Sequence, residues 1–83
     1  MVHQRDDAVN WNEISIEEIL ELAIADEEYA RDYYKHAACL AGGSHTRRML
    51  VQLSEMEQGH ADQLRKELDE LSQQRELETG MAD

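Results

Sequence analysis

Apolar positions between residues 16 and 41 recur at intervals of three and four. Ile16, Leu20, Ala23, Ala30, Tyr34, Ala37 and Ala41 share one helical face, and the only charge among them is Glu27. A second stripe runs through Leu50, Leu53, Leu64, Leu68 and Leu71, interrupted at mid-length by Glu57 and His60. This periodicity predicts two helices. Ser15 with Glu18 three residues on reads as a capping box, with Ile14 as a staple residue ahead of it, and places the first helix start near Ile16. Gly42-Gly43 is the tight break at mid-chain. It predicts a stop near Ala41 with a left-handed glycine cap, followed by Ser44 as the N-cap of a second helix reaching about Leu77. So short a connection makes the pair an antiparallel hairpin. The expected organisation is a polar N-terminal segment over 1–14 containing Trp11, the hairpin over 15–77, and a tail over 78–83.

Composition strengthens the all-α reading, because the chain has no Pro and no Phe and is rich in Ala, Leu, Glu, Gln, Met and Arg. At 83 residues it is small enough to bury only about 60% of its unfolded surface, so a partner or a metal is expected to stabilise it. The 8 Lys+Arg stand against 19 Asp+Glu, a net charge of −11 that repels nucleic acid and anionic membrane surfaces and favours divalent cations. Cys39 is the single cysteine and cannot form an intrachain disulfide. With no apolar signal core at the N-terminus, a reducing, cytoplasmic setting is expected, and no apolar run approaches the roughly 20 residues of a membrane span.

A carboxylate inside an apolar stripe must be paired, protonated or metal-bound, since an unpaired buried charge costs several kcal/mol. Glu57 and His60, three apart, project from one face about 4.5 Å apart along the axis. Folding at Gly42-Gly43 brings residue 27 opposite residue 58, level with both. Two carboxylates and an imidazole suit Fe(II), Mn(II) or Zn(II), with the oxygen-rich balance favouring iron or manganese. Three ligands are half a site and two helices half a bundle, and a twofold dimer completes both. Four carboxylates and two histidines around two metal ions are the set used by ferritin-like di-iron bundles. The remaining candidates read as structural. His3, His36 and His45 fall outside the stripe and are expected at the surface, Met49 and Met56 in packing, Tyr33 at an interface and Cys39 as a small buried hydrophobe.

The segment from Ala23 to Tyr34, AIADEEYARDYY, resembles the first ligand helix of rubrerythrins and other ferritin-like proteins, and Leu53 to His60, LSEMEQGH, resembles the second. The likeness covers roughly residues 16–71. Half the usual length and the 30-residue interval from Glu27 to Glu57 are similar to the encapsulated ferritins, which build a di-iron ferroxidase centre across a dimer interface. The resemblance implies Glu27, Glu57 and His60 as iron ligands and the Tyr34 hydroxyl as a bond to one of those carboxylates. It also implies an antiparallel hairpin that dimerises into a ferritin-like four-helix bundle, with further homo-oligomerisation.

Departures accompany the likeness. Asp26 fits the acidic approach to the metal in encapsulated ferritins, but Tyr29 stands where another acidic residue is expected. Residues 77–83 contain no recognisable shell-targeting extension, and a lone Cys39 excludes a rubredoxin domain with its paired cysteines. The leading expectation is a ferroxidase that oxidises Fe(II) with dioxygen or hydrogen peroxide for iron storage or detoxification, with an encapsulin shell as one setting. Its competitors are a rubrerythrin-like peroxidase using an external electron donor, and a non-enzymatic acidic helical module whose core polar residues set register.

Overall fold

The computed structural model describes residues 9–82, with side chains as far as residue 77. Helix α1 spans Ile16–Leu40 and helix α2 spans Ser44–Ala82, packed side by side as an antiparallel hairpin. The start of α1 is the expected capping box. Ser15 holds extended backbone (φ −87°, ψ 162°), its hydroxyl accepts from the Glu18 N–H at 3.1 Å, and its own N–H donates to the Glu18 carboxylate at 3.4 Å.

The connection differs from expectation. No glycine among the described residues has positive φ, so α1 does not end on a left-handed glycine. The chain instead leaves the helix at Ala41 in extended backbone (φ −70°, ψ 130°), and the Ala41 N–H donates to the Ala38 carbonyl at 3.3 Å. The Arg47 guanidinium reaches back from the first turn of α2 and donates to the Ala41 carbonyl at 2.9 Å. That contact satisfies the end of α1 without a special glycine conformation. Ser44 lies inside α2 rather than capping it, because the Gly43 carbonyl accepts the Arg47 N–H at 3.0 Å. At its far end α2 passes Leu77 and continues to Ala82. The chain offers no proline to stop it, and Gly80 inside a helix costs only about 1 kcal/mol relative to Ala.

Small side chains line the seam between the helices. Ala30, Ala38, Ser54 and Ala61 are buried together with Ile24, and Ala61 is 0% exposed. Four of these five lie one residue C-terminal to stripe positions read from the sequence (23, 37, 53 and 60), so the hairpin contact is turned by about one residue from that stripe. Register is fixed by the Ser54 hydroxyl, which donates to the Arg31 main-chain carbonyl at 2.9 Å. Residues 31 and 54 are symmetric about the connection, and the same symmetry sets 27 against 58. Outside the seam, Arg31 donates to Gln58 at 2.7 Å, Arg65 pairs with Glu28, and Arg75 meets Glu17 at 2.8 Å. Replacing Ala61 with Leu drives three additional heavy atoms into this closed seam. Overpacking of this kind costs ~1–3 kcal/mol, measurable as a lower urea midpoint.

The stripe itself stays open. Leu20, Ala23, Tyr34, Ala37, Leu50, Leu53, Leu64, Leu68 and Leu71 are only half-buried, Ile16 is 58% exposed, and among the described residues no large side chain is fully enclosed. The molecule measures 61 × 27 × 12 Å, one helix diameter thick. A stable domain needs at least two packed layers, and this chain supplies one. Cys39, expected inside, is exposed, because its position on α1 lies at the rim of an open groove with Arg47, Val51 and Glu55 of α2 rather than in the closed seam. Trp11 is exposed in a short turn in which the Asn10 carbonyl accepts from the Glu13 and Ile14 N–H groups. His3 lies outside the described residues. No described helix is long and apolar enough to cross a membrane.

Candidate metal centre

Glu27 arrives from the middle of α1, while Glu57 and His60 come from adjacent turns of α2. The hairpin register set by Ser54 brings the three side chains together, with one donor atom from each lying within 4.8 Å of the other two. His60 Nδ1 is 3.0 Å from Glu57 Oε1 and 3.4 Å from Glu27 Oε2. The small residues of the seam allow this convergence, because Ala61 beside His60 and Ala30 one turn beyond Glu27 let the two backbones approach closely. Glu27 and Glu57 are half-buried and His60 is half-exposed toward the open stripe.

One polar atom here is unexplained by the chain alone. Glu27 Oε2 is buried and has no hydrogen-bond partner, its 3.4 Å approach to His60 falling outside bonding geometry. Buried acceptors are normally satisfied by protein, water or an ion. Burial raises the Glu27 carboxyl above its ordinary pKa, the neighbouring Glu57 carboxylate raises it further, and His60 opposes both. A cation among the three side chains answers all of this, because it satisfies the orphaned oxygen and neutralises the paired carboxylates. Two oxygens and one imidazole nitrogen are suitable donors for a first-row divalent metal, and an oxygen majority favours iron or manganese over zinc.

The raised Glu27 carboxyl sets a pH dependence. In the metal-free protein the folded state holds this proton to higher pH than the unfolded chain does, so stability falls as pH rises through the interval between the two values. The urea midpoint of metal-free protein is expected to rise as pH drops from neutral toward about 5, the upper edge of ordinary carboxylate titration. Glu27→Gln is expected to flatten that rise. Metal binding has the opposite sign, since acid competes with the cation for the same oxygens.

Among the described residues no other Asp, Glu, His or Cys joins the group. Asp26 is half-buried beside it, and His36 and His45 are exposed on other faces. Tyr34 is not brought to the carboxylates within one chain. It lies two turns past Glu27, about 10.5 Å along the axis, and its ring meets Tyr33 edge-on at 5.7 Å and 76°. The outward network of Arg31, Gln58, Glu28 and Arg65 lies beside the site and escaped sequence reasoning, because a helical charge run carries no signal of which members cross to the second helix.

Neither a curated protein nor a solved structure matches the chain. The rubrerythrin family profile matches residues 18–82, which takes in both helices and all three converging side chains. The chain belongs to the rubrerythrin family of ferritin-like proteins, which bind a di-iron centre, and iron is therefore the metal to which family and donor set both point.

Proposed function

We propose that two copies of this hairpin pair through their open stripes to form a di-iron site, and that the pair is a ferroxidase acting on Fe(II). The observation that carries the reading is the convergence of Glu27, Glu57 and His60 around the orphaned Glu27 Oε2. The open face supports the pairing, because the half-buried leucines and the half-exposed His60 lie on the surface a second copy would cover. Doubling the set supplies four carboxylates and two imidazoles.

Bound there, iron supplies one-electron redox chemistry, with dioxygen or hydrogen peroxide as the electron acceptor. The chain's own residues set the conditions. The Glu27 and Glu57 carboxylates bring negative charge that favours the higher oxidation state. His60 presents Nδ1 to both carboxylates, which orients its ring at the site. The acidic surface raises the local concentration of Fe(II). A dimer encloses no mineral space, so iron storage needs a larger assembly or a separate shell.

Membership of the rubrerythrin family favours a second reading, peroxide reduction with electrons from an external donor. Anaerobic protein loaded with Fe(II) and mixed with either oxidant distinguishes the two. Rapid oxidation by dioxygen with no turnover on adding reductant supports the ferroxidase. Slow reaction with dioxygen, fast reaction with peroxide and sustained turnover with a donor support the peroxidase. In both, Glu27→Ala is expected to slow oxidation at least about tenfold, the loss associated with disturbing a metal's ligand surroundings. An unchanged rate would remove Glu27 from the site.

A further inference from the structure

Acid and base are unevenly distributed along this chain. Residues 33–54 contain Lys35, Arg47 and Arg48 and no Asp or Glu, while the other 61 residues carry 5 Lys+Arg against 19 Asp+Glu. Folding brings Lys35 and Arg47 together with Arg31 around a groove of about 710 Å³ between the two helices, lined on its apolar side by Ala38, Cys39 and Val51. Glu55 is the one carboxylate that lines it.

This groove lies across the seam from the metal trio. None of Glu27, Glu57 and His60 lines it, and at about 100° per residue Lys35 and Cys39 are turned roughly 80° and 120° from Glu27 around α1. Val51 and Glu55 are turned roughly 120° and 160° from Glu57 around α2. The hairpin is one helix diameter thick, so a partner on the open stripe leaves this opposite face uncovered.

The cations stand at successive levels. The symmetry that sets 31 against 54 sets Arg47 against Ala38, so Lys35 lies between Arg31 and Arg47 along the groove. Asp32 holds the Arg31 guanidinium at 2.8 Å, and Arg47 donates to the Ala41 carbonyl at 2.9 Å. Both guanidinium groups are held in place, while Lys35 is exposed.

Shape decides the class of occupant. A small-molecule site encloses about 70–90% of its ligand, whereas Lys35, Cys39, Arg47, Val51 and Glu55 are themselves exposed, so this groove covers only one side of what lies in it. A docked helix needs no more than that. From Arg47 to Gln58 is eleven residues, about 16 Å, the length of three helical turns. The small, buried Ala38 and Ser54 at its base let a third backbone approach, and the cations select acidic flanks. A phosphate backbone running along it would meet Glu55 beside the three cations.

We propose that this groove docks an acidic amphipathic helix of a partner protein, its apolar residues on Ala38, Cys39 and Val51 and its carboxylates at Lys35 and Arg47. A second copy fits less well, because under the proposed pairing its apolar stripe is already covered. The docking face is separate from the metal site.

Cys39 reports occupancy, since a bulky maleimide reaches its exposed thiol only while the groove is open. The probe is a lactam-stapled helix of about four turns with Leu at i, i+3, i+4 and i+7 and Glu elsewhere, and its control carries Lys in place of Glu. At ten times its Kd the acidic peptide is expected to slow Cys39 alkylation of the full chain about tenfold. Lys35→Glu is expected to weaken that peptide's binding by about tenfold while leaving Fe(II) binding unchanged. Equal protection by the basic peptide, or none by the acidic one, overturns the proposal. Protection by citrate or benzoate as strong as by the peptide overturns it in favour of a small-anion site. Protection that grows with protein concentration in the absence of peptide overturns it in favour of a second copy.

Discussion

Glu57→Ala is expected to weaken Fe(II) binding more than about a hundredfold, beyond the range seen when only the surroundings of a metal ligand are disturbed. The same substitution is expected to leave the metal-free protein as stable as before or more so. Glu57 Oε1 is 3.0 Å from His60 Nδ1, and the Glu57 carboxylate also raises the Glu27 carboxyl. Without a cation, that side chain places negative charge against negative charge beside a buried oxygen, and pairing two hairpins doubles the crowding. An ordinary structural glutamate behaves in the reverse way, its removal lowering stability while any weak metal affinity persists. Anaerobic Fe(II) titration calorimetry and thermal melts of the metal-free variant read the two quantities separately. Unchanged iron binding refutes the assignment of Glu57. A large loss of metal-free stability with no iron binding in the parent protein makes the trio a register device instead.

The second large effect is stabilisation by the metal itself. A ligand that binds only the folded state adds about 2.7 kcal/mol at a hundred times its Kd and about 4.1 kcal/mol at a thousand times. For a paired hairpin of this size each kcal/mol moves Tm by roughly 2–4 °C, so saturating anaerobic Fe(II) is expected to raise Tm by about 5–15 °C. The chain has reason to show the full effect. It is a single layer 12 Å thick whose apolar stripe is only half-buried, so under the proposed pairing a second copy and the ion would supply much of its stability. Addition of a chelator should reverse the shift, and Glu27→Ala should abolish it. A Tm indifferent to Fe(II) in the parent protein contradicts the metal reading.

What the sequence revealed and what it concealed follow from how local each signal is. The Ser15 capping box is contained within four residues and was legible, as was the helical period of both stripes. The convergence of Glu27 with Glu57 and His60 needed one further piece of information, the place of the turn, and the glycine pair supplied it. The geometry of that turn was not legible. Glycine permits positive φ but does not compel it, and here Arg47 satisfies the end of α1 from across the connection. The seam was misplaced by one residue for a different reason. The most apolar face of each helix lies half-buried beside the seam, while the hairpin contact proper is made by small residues such as Ala38, Ser54 and Ala61 that periodicity weights lightly. Cys39 followed a compositional prior toward burial and is exposed, because its place on the helix outweighs its type.

Native mass spectrometry during an anaerobic Fe(II) titration tests the central claim most directly, because it counts chains and metal ions in one spectrum. The account predicts a dimer that takes up two irons, with iron and dimer appearing together or iron shifting the balance toward the dimer. A dimer that binds no iron, or a monomer that binds iron with full affinity, would contradict a site built from Glu27, Glu57 and His60 of two chains.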